Sequence, residues 1–215
     1  MQVINQVGGI LQYYNTNKRI NLFGFGGGIL PYRERAAHCF AMNGNIFDPR
    51  VHDLNEVMQY YKHCIGNNNV NLYGPTHFSQ VLDMVNNICE ADPGNYNNQK
   101  FQVLLIITDG VINDMNQTID QVVRGSNNPL AIIIVGVGNA DFGQMDKLDG
   151  DNEALYSQTQ KRYAAADIVQ FVPFNDFKHN PTLLAKETLQ ELPGQLVSYM
   201  RKRQIVPLPR TEMQR

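Results

Sequence analysis

Thr76 and Asp109 are the residues of this sequence whose types and setting best suit chemistry. One is a hydroxyl in the loop ahead of a helix; the other is the carboxylate of Thr108-Asp109-Gly110, at the end of an apolar run. Hard divalent cations such as magnesium take oxygen ligands, keep some of their waters and commonly use one or two carboxylates, so the pair could supply half of a metal site. Each residue also has a plain structural reading: Thr76 as the cap of a helix starting near Phe78, Asp109 as a turn residue before Gly110. Taken alone, the two positions favour the structural reading.

Other constellations lack the spacing that their chemistry needs. Counting from Gly24, the glycine-rich stretch Gly24-Phe25-Gly26-Gly27-Gly28 has Ile29 at the sixth position, where the dinucleotide fingerprint needs glycine. No Lys-Ser or Lys-Thr follows it to reach a phosphate, so it reads as a flexible turn. Asp149-Gly150-Asp151-Asn152-Glu153 looks like a calcium loop but puts Ala154 where glycine belongs and Gln160 where the bidentate glutamate belongs. It reads as a solvated surface loop. His38, His52, His63, His77 and His179 stand in no Cys-x-x-Cys or His-Glu-x-x-His context, so they are given no metal role. No Gly-x-Ser-x-Gly nucleophile elbow occurs.

The elements that must position Thr76 and Asp109 follow from periodicity. Val3, Ile4, Val7, Ile10, Leu11 and Tyr14 recur by three and four, predicting a helix weakened by Gly8-Gly9. Its pattern is running by residue three without a cap, and we expect a preceding segment to be missing. Ile20 to Phe25 reads as a strand entering Gly26-Gly27-Gly28. The stretch from Pro31 to Pro49 is irregular, with Cys39 to Met42 a short strand at most. Asp53 is placed to cap a helix carrying Leu54, Val57, Met58, Tyr61 and Ile65, ended by Gly66 and Asn67 to Asn69. After the sharp turn Leu72 to Thr76, a helix carries Phe78, Val81, Leu82, Val85, Ile88 and Cys89, closed by Asp92-Pro93-Gly94.

The second half alternates strand and helix. Phe101 to Ile107 and Leu130 to Val135 are apolar runs suited to strands buried on both faces. A helix with Met115, Ile119, Val122 and Val123 lies between them. A loop rich in Asp, a strand from Asp167 to Val172 and a helix from Thr182 to Tyr199 with Pro193 inside it complete the pattern. This predicts an α/β, doubly wound, mostly parallel sheet with helices on both faces, in which ligands bind at the carboxyl ends of the strands. Asp109 lies at such an end, as does Gly136-Val137-Gly138-Asn139.

Composition excludes several partners. With 18 Lys+Arg against 20 Asp+Glu, the chain has no cationic excess to bind nucleic acid or an anionic membrane. Arg201-Lys202-Arg203 reads as the charge arrangement of a helix end rather than a membrane patch. The longest apolar stretch is far short of the roughly 20 residues that span a bilayer, and Met1 to Gln6 lacks the features of a secretory signal. Three widely spaced cysteines, Cys39, Cys64 and Cys89, point to a cytoplasmic protein that uses them as core filling. The expected division is one domain over 1–200 and a tail over 201–215.

Four segments in order carry a family resemblance: Leu72 to Thr76, Ile106-Ile107-Thr108-Asp109-Gly110, Ile134 to Phe142, and Asp167 to Phe174. They are similar to the von Willebrand factor A-type domain of copines, and the likeness covers nearly the whole chain. The resemblance implies a Rossmann-like fold with a metal-ion-dependent adhesion site at the carboxyl edge of its sheet. Such a site joins an Asp-x-Ser-x-Ser loop after the first strand, a threonine from a second loop and an aspartate from a third; Thr76 and Asp109 match the last two. No residue here can be assigned to the first loop, and the first strand is expected to be missing from this chain. The site is therefore expected to be incomplete, holding Mg or Mn weakly if at all. By the same resemblance the domain binds and does not catalyse, recruiting protein partners through an acidic side chain or through surrounding loops. Calcium enters only through two phospholipid-binding modules upstream of such a domain, so membrane contact is indirect. Those modules would recruit the full-length protein to membranes in a calcium-dependent way. A related architecture couples a similar domain to a RING that transfers ubiquitin, but three scattered cysteines cannot build one.

Overall fold

The structure, a computed structural model, describes residues 1–29, 35–66, 69–150 and 153–208. Pro31 at the head of the irregular stretch, Asn67 and Asn68 of the expected helix stop, Asp151 and Asn152 of the calcium-like loop, and Pro209 and Arg210 lie outside the described residues.

The chain opens with α1 (Gln2–Gln12), whose Val3, Ile4 and Val7 are buried, as their spacing predicts. The expected strand from Ile20 is broken into β1 (Ile20–Asn21), β2 (Phe23–Gly24) and β3 (Gly27–Gly28). Each finds a different antiparallel partner: β4 (Phe40–Ala41) pairs with β2, β5 (Arg50–Val51) with β1, and β6 (Asn71–Leu72) with β3. Packing accounts for the glycines here. A Cβ on Gly24 would stand 2.5 Å from the Phe40 ring, and one on Gly27 would overlap the Val70 side chain. They let neighbours approach closely rather than cradle a phosphate.

Between β5 and β6 lies α2 (Leu54–Gly66), started by Asp53, whose carboxylate accepts the Glu56 N–H at 3.0 Å. Then come α3 (Ser79–Ala91), β7 (Gln102–Thr108), α4 (Met115–Gly125) and β8 (Leu130–Gly136). The segment expected to be a loop rich in Asp holds α5 (Gly143–Asp149) and a hairpin of β9 (Tyr156–Ser157) and β10 (Arg162–Tyr163). Gly150, with φ of 73°, ends α5 in the left-handed region, and the Asp149 carboxylate accepts the Phe171 N–H at 2.9 Å. Asp149 thus fastens a helix end to a strand. The chain closes with β11 (Val169–Pro173), α6 (Phe174–Phe177), α7 (Pro181–Leu189) and α8 (Leu192–Lys202). The expected single helix from Thr182 to Tyr199 is two, because Pro193 cannot donate within a helix and instead occupies the first turn of α8.

The main sheet is parallel and three-stranded, in the order β11-β8-β7. Central β8 is buried at every residue, and its alternating side chains supply two cores. Ile132 and Ile134 pack with Phe78, Leu82, Met145 and Leu148 beneath α3, α4 and α5. Ile133 and Val135 pack with Val7, Val57 and Leu184 from α1, α2 and α7 on the other face. This is the doubly wound, Rossmann-like arrangement that the apolar runs predict. Among the described residues β7 pairs only with β8, and it is less covered, with Val103 exposed, which corrects its reading as a strand buried on both faces. Of the cysteines, Cys64 and Cys89 are buried and Cys39 is partly so. Burial, reinforced by Glu90, pushes the Cys89 thiol up to about 12, so it is inert filling.

Candidate functional site

Strand register fixes where the candidate residues fall. Thr108 is level with Gly136 across β7 and β8, and Gly136 is level with Pro173 across β8 and β11, so the three strands end together. The Val137 N–H donates to the Thr108 carbonyl at 2.8 Å, holding the β7 and β8 exits side by side. Asp109 leaves this edge exposed to solvent.

Thr76 reaches the same edge from the loop between β6 and α3. A reciprocal clamp holds it: its N–H donates to the Asn113 side-chain oxygen at 2.7 Å, and the Asn113 N–H donates back to the Thr76 carbonyl at 2.9 Å. The clamp brings the two loops into contact, so that a Cβ on Gly110 would lie 3.5 Å from the Thr76 hydroxyl oxygen. Glycine at 110 leaves that space open. Among the described residues, neither the Thr76 hydroxyl nor the Asp109 carboxylate has a hydrogen-bond partner.

The helix-cap reading of Thr76 is replaced by a different residue. No side chain of the loop caps α3; instead Asp114, just ahead of α4, accepts the Phe78 N–H at 3.0 Å and the Ser79 N–H at 2.9 Å. The Thr118 hydroxyl donates to the same carboxylate at 3.0 Å. Burial opposes ionisation of Asp114, but the hydrogen bonds from Ser79, Phe78 and Thr118 outweigh it and hold the carboxyl below its usual range. Thr76 is thereby freed from capping. Asn113 and Asp114 are the functional positions that sequence patterning misses. Their signal, an Asn-Asp pair before a helix, reads locally as a cap for α4, and their partners lie over thirty residues away.

Beside this loop, the His38 and His77 rings stack at 4.2 Å. His38 is buried, and burial, then the neighbouring His77, lowers its pKa against the opposing pull of Asp114. At the β8 exit, Asn175 donates to the Gly138 carbonyl at 2.6 Å and to Asn139 Oδ1 at 3.0 Å, so this loop is tied to α6, which follows β11. Gly136 is required where it is, since a Cβ there would stand 2.9 Å from the Phe142 ring.

As a donor set, Thr76 and Asp109 offer a neutral and a charged oxygen, which suits a hard divalent cation and gives soft metals nothing. Among the described residues no cluster of three or more His, Cys, Asp or Glu is placed to hold a metal ion. By donor chemistry alone, the pair would supply at most part of a metal shell.

The family model described as Copine matches residues 1–208. Copine-A of Dictyostelium discoideum is 41% identical over 206 residues, which is 96% of this chain and 33% of that protein. The chain thus spans about a third of the length of the curated relative it matches.

Proposed function

The chain belongs to the copine family, and from that premise we propose that it is a non-catalytic protein-interaction domain that engages partners at the carboxyl edge of its sheet. The observation that carries the proposal is the Thr76–Asn113 clamp, which sets a hydroxyl beside the Asp109-Gly110 turn, with neither candidate ligand hydrogen-bonded among the described residues. Such a pair is built to meet something outside the chain.

Thr76 and Asp109 would supply two oxygens to a magnesium or manganese ion, whose open coordination position would accept an acidic side chain of a partner protein. The surrounding protein does the remaining work. The clamp and the Asp114 cap fix the Thr76 loop before any partner arrives, so little ordering entropy is lost on docking. Leu72, Tyr73 and Val111 are exposed near the two loops and offer contact area beyond the ion. In the whole protein, calcium-responsive lipid binding would come from other modules, and this domain would bring partners to the membrane surface they reach. No helix among the described residues is long and apolar enough to cross a membrane itself.

Paramagnetic broadening by manganese ion tests the site directly, because it detects weak binding. In a 15N-labelled sample, amides of residues 74–77 and 109–113 should broaden at substoichiometric manganese, and Asp109→Ala should remove the effect. Broadening scattered over other carboxylates, or unchanged in Asp109→Ala, would refute the metal role.

A further inference from the structure

The pole opposite the Thr76–Asp109 edge holds a cleft of about 430 Å³ between α8 and the amino ends of the strands. That size lies within the range of small-molecule sites, roughly 300–1,000 Å³. Tyr199 is the buried residue of α8, and the exposed Gly194 and Ser198, one turn apart, line the cleft with little side-chain bulk. A Cβ on Gly194 would meet nothing within 4 Å.

The cleft is two-sided in chemistry. Its floor is apolar: Leu130 and Ile168 at the strand starts are buried, and Phe101 meets Tyr199 edge-on with ring centroids 6.1 Å apart. Its rim is cationic. Lys202 has no ion-pair partner among the described residues, and the Arg203 guanidinium lies 6.0 Å from the centroid of the Tyr199 ring. Among the described residues one carboxylate lines the cleft, Asp167, and it already accepts the Val169 N–H at 3.1 Å.

Tyr199 closes the floor. The residue is more than nine-tenths buried; burial raises its phenol's pKa, and the Arg203 guanidinium beside the hydroxyl opposes that rise. Lys202 and Arg203 also complement the α8 dipole, but that role needs neither the hollow beneath them nor its aromatic floor.

We infer that this cleft is a binding site for a small organic acid with a planar apolar body, its ring on Phe101, Leu130 and Tyr199 and its carboxylate toward Lys202 and Arg203. Ligand affinity and ligand position are measured together by titrating 15N-labelled protein with 2-naphthoate, with the neutral 2-naphthalenemethanol and with inorganic phosphate. Naphthoate should shift amides of residues 126–128, 165–168 and 194–203, and both other probes should bind at least about tenfold more weakly, equivalent to about 1.4 kcal/mol. Lys202→Gln should cost naphthoate a similar factor. Gly194→Leu, whose Cβ meets nothing within 4 Å and whose branch adds bulk to the cleft lining, should weaken the shifts at least several-fold. Equal binding of the neutral analogue, shifts elsewhere, no shifts at all, or full binding to Lys202→Gln would overturn the assignment.

Discussion

Asp114 is the single side chain on which the geometry of the candidate edge most depends. It satisfies two amides of another helix and the Thr118 hydroxyl from a buried position. Asp114→Ala is expected to destabilise the protein by about 3 kcal/mol, because buried donors would lose a charged acceptor; urea unfolding would measure it. His38 makes a second residue-scale prediction. Its pKa is lowered in the folded state, so the unfolded chain binds the proton more readily, and its contribution is complete above the ordinary histidine value of about 6.5. That contribution drains away as pH falls through that value toward the folded one. The urea midpoint should therefore drop between about pH 7.5 and about pH 5.5, and His38→Gln should flatten most of that slope. An unchanged slope would mean that other groups set the pH response. The sequence made Thr76 and Asp109 legible because a hydroxyl and a carboxylate beside turns are local features. Asn113 and Asp114 were not legible, because what they hold is distant along the chain.

Elements tell a similar story with glycine as the clearest case. Gly8 and Gly9 both weaken α1 by propensity, but only one has a packing reason. A Cβ on Gly8 would come within 2.9 Å of Leu54, whereas one on Gly9 would meet nothing within 4 Å. Gly9→Ala is therefore expected to raise stability by about 1 kcal/mol, read as a higher thermal midpoint. Gly24→Ala should lower stability by about 2 kcal/mol, since the Phe40 ring is in the way. β7 and β8 were readable because each seven-residue strand carries an unbroken apolar run, Val103 to Ile107 and Leu130 to Val135. Between Ile20 and Leu72 the helix α2 was readable from its period, but the strand breaks were not, because these strands are two residues long and are set by pairing with distant segments rather than by their own pattern. Likewise α5 was hidden in acidic residues whose apolar positions, Met145 and Leu148, were too few to show a period.

At the scale of the whole molecule, two cores clamp one parallel sheet and leave its ends free for binding. The carboxyl end collects Thr76, Asp109 and the loops around Asn113 and Gly138; the amino end holds the cleft under α8. These two poles are far apart in chemistry, one offering oxygen ligands and the other cations above an aromatic floor. Fold class was legible from alternation alone, since seven buried residues in β8 require helices on both faces. Which pole would engage a partner, as proposed, was not, because that depends on the side chains that the fold brings to each end. A photoreactive amino acid placed at Val111 beside Asp109, or at Val197 on α8, measures this directly in cells, both positions being exposed. Protein adducts should form from position 111, be much scarcer from position 197, and fall several-fold when Asp109→Ala is added to the first. Adducts formed equally from both positions, or indifferent to Asp109→Ala, would contradict an interaction domain working through its carboxyl edge.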